Sequence, residues 1–193
     1  MEYNLFEKIL RYYGLAFVVF WLGAMLLAAP ETHWLTTSFG VLAVHAWVYF
    51  VHRMLHYIPE WTMINTHMKY HHQDPKTIPR HLELFYESIT DTTMNMLLYV
   101  VQKMIGVTIV PASIILLFTL SYMSIHIINY SIFGSVFHRR HHETMNKNFA
   151  PDAMDHLVGT NYNDEFEDLN PTCLNVFGSM ALLYPLKKYL VKM

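Results

Sequence analysis

Cysteine is almost absent from this 193-residue chain. Cys173 stands alone, which excludes an internal disulfide and a metal cage built of thiolates. Charge is scarce as well: 15% of the residues are charged against 53% hydrophobic, a balance that moves the chain from the soluble class toward the membrane class. The charges nearly cancel, at a net −2 and a pI near 6.7, so there is no basic face to suit nucleic acid. No internal repeat or low-complexity tract is present, and the length suits one domain over 1–193. What the chain has in excess is histidine, with 13 copies, as many as Lys and Arg together. Neutral imidazole is the commonest metal ligand among side chains, so the excess points to metal.

Uncharged runs set the architecture. Residues 12–29 and 34–51 carry no charge and are separated by the polar turn Pro30-Glu31-Thr32-His33. At 1.5 Å per residue each run spans roughly 27 Å, close to the hydrocarbon core of a bilayer. The first run is too long for the core of a signal peptide, follows mixed charge, and leads at once into a second span. Two further helices are expected at 86–104 and 112–133, with Gly106 and Pro111 marking the turn between them. The 86–104 span is the least apolar, with Glu87, Asp91, Gln102 and Lys103 near its ends, where Lys103 can snorkel to the interface. Residues 134–170 are polar, and the apolar tail from Cys173 onward, with three lysines, is expected to lie on the membrane. The fold class is therefore all-α, an integral membrane bundle of about four transmembrane helices. Two hairpins dipping from one side would leave Lys103 alone on the far side and the other twelve Lys and Arg on the near side. That bias marks the near side as cytoplasmic, with both termini on it, and the endoplasmic reticulum is the expected host membrane.

His52 to His81, His126 and His138 to His156 fall on that same side. His52 and His56, at i and i+4, share one helix face at the end of the second run. His67, His71 and His72 form a second group, His126 ends the last span, and His138, His141 and His142 make a compact HxxHH. A lone histidine at an interface is ordinarily an amphipathic anchor, and His33 is read so. A single HxxxH is weak, and a basic segment such as Arg139-Arg140 also suits lipid head groups. Clusters returned to one face by separate spans are hard to produce by accident. Arg53 stands where a zinc protease of the HExxH kind would carry its general base. A structural zinc needs only four ligands, so the surplus of imidazole fits two ions, in a histidine-lined metal centre at the cytoplasmic face.

These motifs resemble the sterol desaturase and fatty acid hydroxylase superfamily of membrane di-iron enzymes, over about residues 40–168. Tyr49 to His56 is similar to its opening HRxxH segment, His71-His72 and His81-Leu-Glu83 to its HH and HPxE elements, and His138 to His142 to its final HxxHH. Asn148 to Asp152 and Asp155 to Thr160 resemble its closing stretch. The chain departs from the family at the second cluster, where Met68 makes the spacing HxxxHH, so that His67 reaches the others only through a local backbone bulge. It departs again at Tyr130, where some relatives carry histidine, which turns attention to Asn129, and at His156, which is read as lining.

The resemblance implies His52, His56, His67, His71, His72, His81, His126, His138, His141 and His142 as metal ligands. It implies two non-haem iron ions, dioxygen, and electrons from an outside donor such as cytochrome b5 or an NAD(P)H-dependent reductase, acting on a C–H bond of a membrane lipid, fatty acyl chain or sterol. Hydroxylation is expected over desaturation, because the closing segment resembles the hydroxylase branch. Imidazoles need carboxylates or carbonyls to orient them, and Asp74, Glu83, Asp91, Asp152 and Asp155 lie near the clusters in sequence. His45, two turns deeper than His52, either lines a substrate channel or bonds a neighbouring helix. The rival readings are a metal transporter, whose ligands would sit near the bilayer midplane, and a lipid-binding relative without activity.

Overall fold

The computed structural model describes residues 4–30, 32–59, 65–73 and 76–191, and every described element is helical. Helix α1 (Leu5–Leu27) begins seven residues before the apolar run because Asn4 and Glu7 form a reciprocal capping box, satisfying two amide groups that a helix start leaves open. Helix α2 (Trp34–Leu55) starts on His33, whose Nδ1 accepts from the Leu35 amide at 3.2 Å. Helix α3 (Arg80–Ile105) ends on Gly106, which sits at φ 70, a left-handed cap that favours glycine. The turn that follows is held by Gln102: its Oε1 accepts from the Ile109 and Val110 amides at 2.7 Å, and its Nε2 donates to the Val110 carbonyl at 3.0 Å. Helix α4 (Ala112–Ser124) then winds on as a π-helix over Ile125–Ile132. Short helices α5 (Val136–Glu143) and α6 (Asp152–Val158) form a cap, and α7 (Cys173–Leu183) leads through a 3-10 turn into α8 (Lys187–Leu190).

Lipid offers apolar side chains no reason to leave it, so close packing rather than hydrophobicity brings such helices together. Gly23 lets α1 approach α7, where a methyl group would lie 2.7 Å from Met180 Sδ. Gly40 lets the start of α2 approach Val110, Pro111 and Ile114, which puts both hairpin turns at one end of the bundle. The segments bearing His52, His56, His67, His71, His72, His126, His138, His141 and His142 gather at the other end, called here the near end.

Among the described residues, three helical segments are long and apolar enough to cross a membrane: Leu5–Leu27, Trp34–Leu55 and Ala112–Ile132. The expected fourth span, α3, runs the length of the bundle but does not meet that apolarity, because it is polar on its inner face. Glu83, Glu87, Asp91, Asn95 and Gln102 are buried, while Leu82, Phe85, Ile89, Leu97 and Val100 face outward. A polar interior inside an apolar exterior is the arrangement a membrane imposes on an ionisable helix.

The tail departs from expectation. Its start is tied to the near end of α1, where the Leu169 amide donates to the Tyr12 carbonyl and the Asn170 side chain bridges Arg11 and Leu15. From there it runs along the bundle rather than lying across its end, and Leu190 is buried beside Val110 at the far end. Leu190 and Val191 line a recess there with Ala29, Thr32 and Pro111. The described residues therefore start at the near end of the bundle and stop at its far end. Lys187 and Lys188 join Lys103 at the far end.

Candidate metal centre

Four segments deliver imidazoles to one place. The last turn of α2 supplies His52 and His56. The segment His67–His71 is wound as a π-helix, the bulge needed at HxxxHH, so that His67, His71 and His72 all turn inward and are buried. The π-helical continuation of α4 supplies His126, and α5 supplies His138, His141 and His142. Nine of the ten histidines expected at the centre are thus brought together, in two groups that share an edge. His52, His56, His67, His72 and His141 form one, and His71, His126 and His138 the other, with His142 meeting His71 and His72 between them. His81 stays apart, exposed on the first turn of α3.

The spacing is that of ligands. His67 Nε2 lies 3.0 Å from His52 Nε2, 3.0 Å from His72 Nε2 and 3.3 Å from His56 Nε2. His142 Nε2 lies 3.0 Å from His71 Nε2 and 3.1 Å from His138 Nε2. One N–H cannot serve three neighbours, whereas nitrogens held about 2.1 Å from a common ion stand about 3 Å apart. His141 decides the point. It is wholly buried, and its Nδ1 donates to the Lys147 carbonyl at 2.6 Å, so Nε2 carries the lone pair. That lone pair has no partner. Burial and neighbouring imidazoles hold His67, His71, His72, His138 and His141 well below their ordinary pKa, and burial takes His56 and His142 down to about 4. These seven imidazoles are therefore neutral at pH 7, the form that binds a cation.

Carboxylates and the 144–160 loop orient the imidazoles. Asp91 accepts from His126 Nδ1 at 2.9 Å, and Glu87, 2% exposed, stands between His126 Nε2 at 3.3 Å and His71 Nδ1 at 3.5 Å. Asp155 accepts from the Phe149 amide at 2.9 Å, the Ala150 amide at 2.8 Å and the Thr160 hydroxyl at 2.7 Å. It fixes a loop in which Asn148 and Ala150 adopt positive φ, a conformation that persists in such residues only where the surroundings hold it. The loop presents the Lys147 carbonyl to His141 and the Phe149 ring to His52, His56 and His141. Burial pushes the Asp155 carboxyl up to about 7.

The other expected residues lie elsewhere. Glu83 pairs with Lys76 at 2.6 Å and Arg80 at 2.7 Å instead of a histidine, because those cations flank it in sequence. Asn129 faces the tail and accepts from Asn175 at 3.1 Å, while the neighbouring Tyr130 stacks on His138. His156 stacks on Phe166, with centroids 3.7 Å apart, outside the cluster. Asp152 accepts from Tyr13 and the Glu167 amide. Asp74 lies outside the described residues. His45 lines a cavity that reaches His126. Glu87, Glu167 and Phe149 were not singled out from sequence. Glu87 had a signal, since Glu83, Glu87 and Asp91 recur every four residues and so share one face of α3.

The sequence model of the fatty acid hydroxylase family matches residues 37–160, more than half of the chain and all nine clustered histidines. The chain belongs to the fatty acid hydroxylase family. No curated protein and no solved structure matches it. Membership implies an oxidoreductase in general, and the histidine groups could hold metal ions.

Proposed function

We propose that this chain is an oxygen-dependent hydroxylase of a membrane lipid, working with two iron ions. The observation that carries the reading is the buried, unpartnered Nε2 of His141, set among eight other imidazoles. His52, His56, His67, His72 and His141 would hold one ion. His71, His126, His138 and His142 would hold the other, with Glu87 beside it. When bound, the irons supply the activation of dioxygen that side chains cannot perform, using electrons from an external donor such as cytochrome b5 or an NAD(P)H-dependent reductase.

The chain's own part is positioning and exclusion. The Lys147 carbonyl keeps the His141 proton on Nδ1, and Asp91 does the same for His126. Phe149 covers one side of the cluster and keeps water from it. The apolar cavity that opens on His126 would align a lipid drawn from the bilayer. Lys8, Arg11, Arg53, Lys69, Arg139, Arg140 and Lys147 gather at the near end, which supports a cytoplasmic placement for the centre, and the endoplasmic reticulum is the membrane proposed for it. A transporter would carry its ligands at mid-depth, and these lie at one end of the bundle.

The test supplies membranes containing the protein with NADH or NADPH under isotopically labelled dioxygen, followed by mass spectrometry of extracted lipids. One labelled oxygen atom in a lipid product is expected. Loss of two hydrogens without label would replace hydroxylation with desaturation, and an unchanged lipid pool would count against an oxygenase.

A further inference from the structure

The cavity beside His126 holds about 130 Å³ and lies between α1, α2 and α4, with apolar walls that include Phe17, Phe20 and Phe118. Most polar groups along it are already engaged. The Tyr13 hydroxyl meets Asp152, that of Tyr130 meets Glu167, and that of Thr172 meets the Leu169 carbonyl. Ser121 is different. It is 3% exposed, and its hydroxyl has no partner. Elsewhere Ser38, Ser88, Thr90, Thr119 and Ser179 all return their hydroxyls to the carbonyl four residues back, as helical Ser and Thr commonly do. A buried hydroxyl that forgoes this bond is open to another partner.

His45 lines the same cavity. Its Nδ1 lies 2.7 Å from the Val41 carbonyl, which can only accept, so the proton sits on Nδ1 and Nε2 of the neutral ring is an acceptor. The ring packs edge-on against Phe118, centroids 4.7 Å apart, and Phe118 precedes Ser121 by three residues on one face of α4. An acceptor and a hydroxyl in an apolar cavity complement a ligand group that both donates and accepts.

We propose that this cavity recognises a free hydroxyl on an otherwise apolar molecule, held by His45 and Ser121. The inference rests on the lipid-oxidising reading above and deepens it: the substrate is an apolar alcohol, and its hydroxyl acts as the anchor. A ketone, ester or ether has no proton to give His45 and satisfies Ser121 alone. His45 precedes His52 by seven residues and Ser121 precedes His126 by five, so the anchor lies about 8–10 Å deeper than the histidine centre. The carbon presented to the centre is set by that distance from the hydroxyl.

Binding is measured without turnover, by native mass spectrometry of the full chain in detergent, with hexadecan-1-ol, its methyl ether, cholesterol and cholesterol methyl ether as probes. At least one alcohol is expected to bind about tenfold more tightly than its ether, and the one that does distinguishes an open chain from a ring system. Ser121→Ala and His45→Phe should each cut that preference to under about threefold, and Ser121→Thr should retain it. Ser121→Ala should melt no lower than the parent protein when no ligand is present, since it removes an unpaired group. Equal binding of alcohol and ether, preference undiminished in both variants, or a lower melting temperature for Ser121→Ala would overturn the proposal. Because no reaction is read, a chain that fails to oxidise lipid yet keeps the alcohol preference contradicts the hydroxylase reading and leaves the hydroxyl anchor standing.

Discussion

At the scale of single residues, the site depends on where each imidazole keeps its proton. His141 is held by a backbone carbonyl on one nitrogen and left open on the other. His141→Ala should therefore lose bound metal and activity together, while His81→Ala, on the exposed first turn of α3, should keep both. Metal analysis of the two purified variants checks this, and equal loss in both would break the assignment. Glu87→Gln should lower metal affinity by about 10- to 100-fold without unfolding the protein, as changes to groups that orient metal-bound imidazoles do. A competitive chelator titration measures that shift. The HxxHH and HxxxH spacings were legible because they are local, and helix geometry alone puts such residues on one face. The role of Glu87 was not, because its partner His126 lies on another helix and nothing local joins them. His81 keeps a spacing to Glu83 that matches a family motif, but it stands exposed on α3, and Lys76 and Arg80 pair with that carboxylate.

At the scale of elements, two π-helical segments do what regular helix could not. Met68 sets His72 five residues after His67, where a regular helix would turn it away, and the wider π turn keeps His67, His71 and His72 inward. The sequence showed the extra residue and the need for a bulge, while the form the bulge takes depends on the packing around it. Helix α3 was the hardest to read, since its buried stripe is acidic near the centre and its exposed faces are apolar. A hydropathy average blurs the two faces, so only the three-dimensional arrangement reveals the inversion. Its far end relies on Gln102, which satisfies two amides and a carbonyl of the turn to α4. Gln102→Leu leaves those groups unpaired away from water and should cost about 2 kcal/mol or more. A thermal melt should show the loss, with the iron content of the folded fraction unchanged.

At the scale of the whole molecule, the bundle separates chemistry from anchorage, with the nine clustered histidines at one end and the hairpin turns at the other. The apolar runs made the spans legible, but the path of the tail was not. Its lysines read as an interfacial signature, whereas α7 packs along α1 and α4 and carries Leu190 to the far end. Cysteines introduced at positions 8 and 188 should accordingly label from opposite sides of sealed membranes, and labelling from the same side would contradict the tail's course. The most direct test of the central claim is the iron content of the intact protein, purified without oxygen from iron-replete cells. Two histidine groups sharing an edge predict about two irons per chain. A single tightly held ion, with no second site filled on adding ferrous iron, would contradict the dinuclear centre.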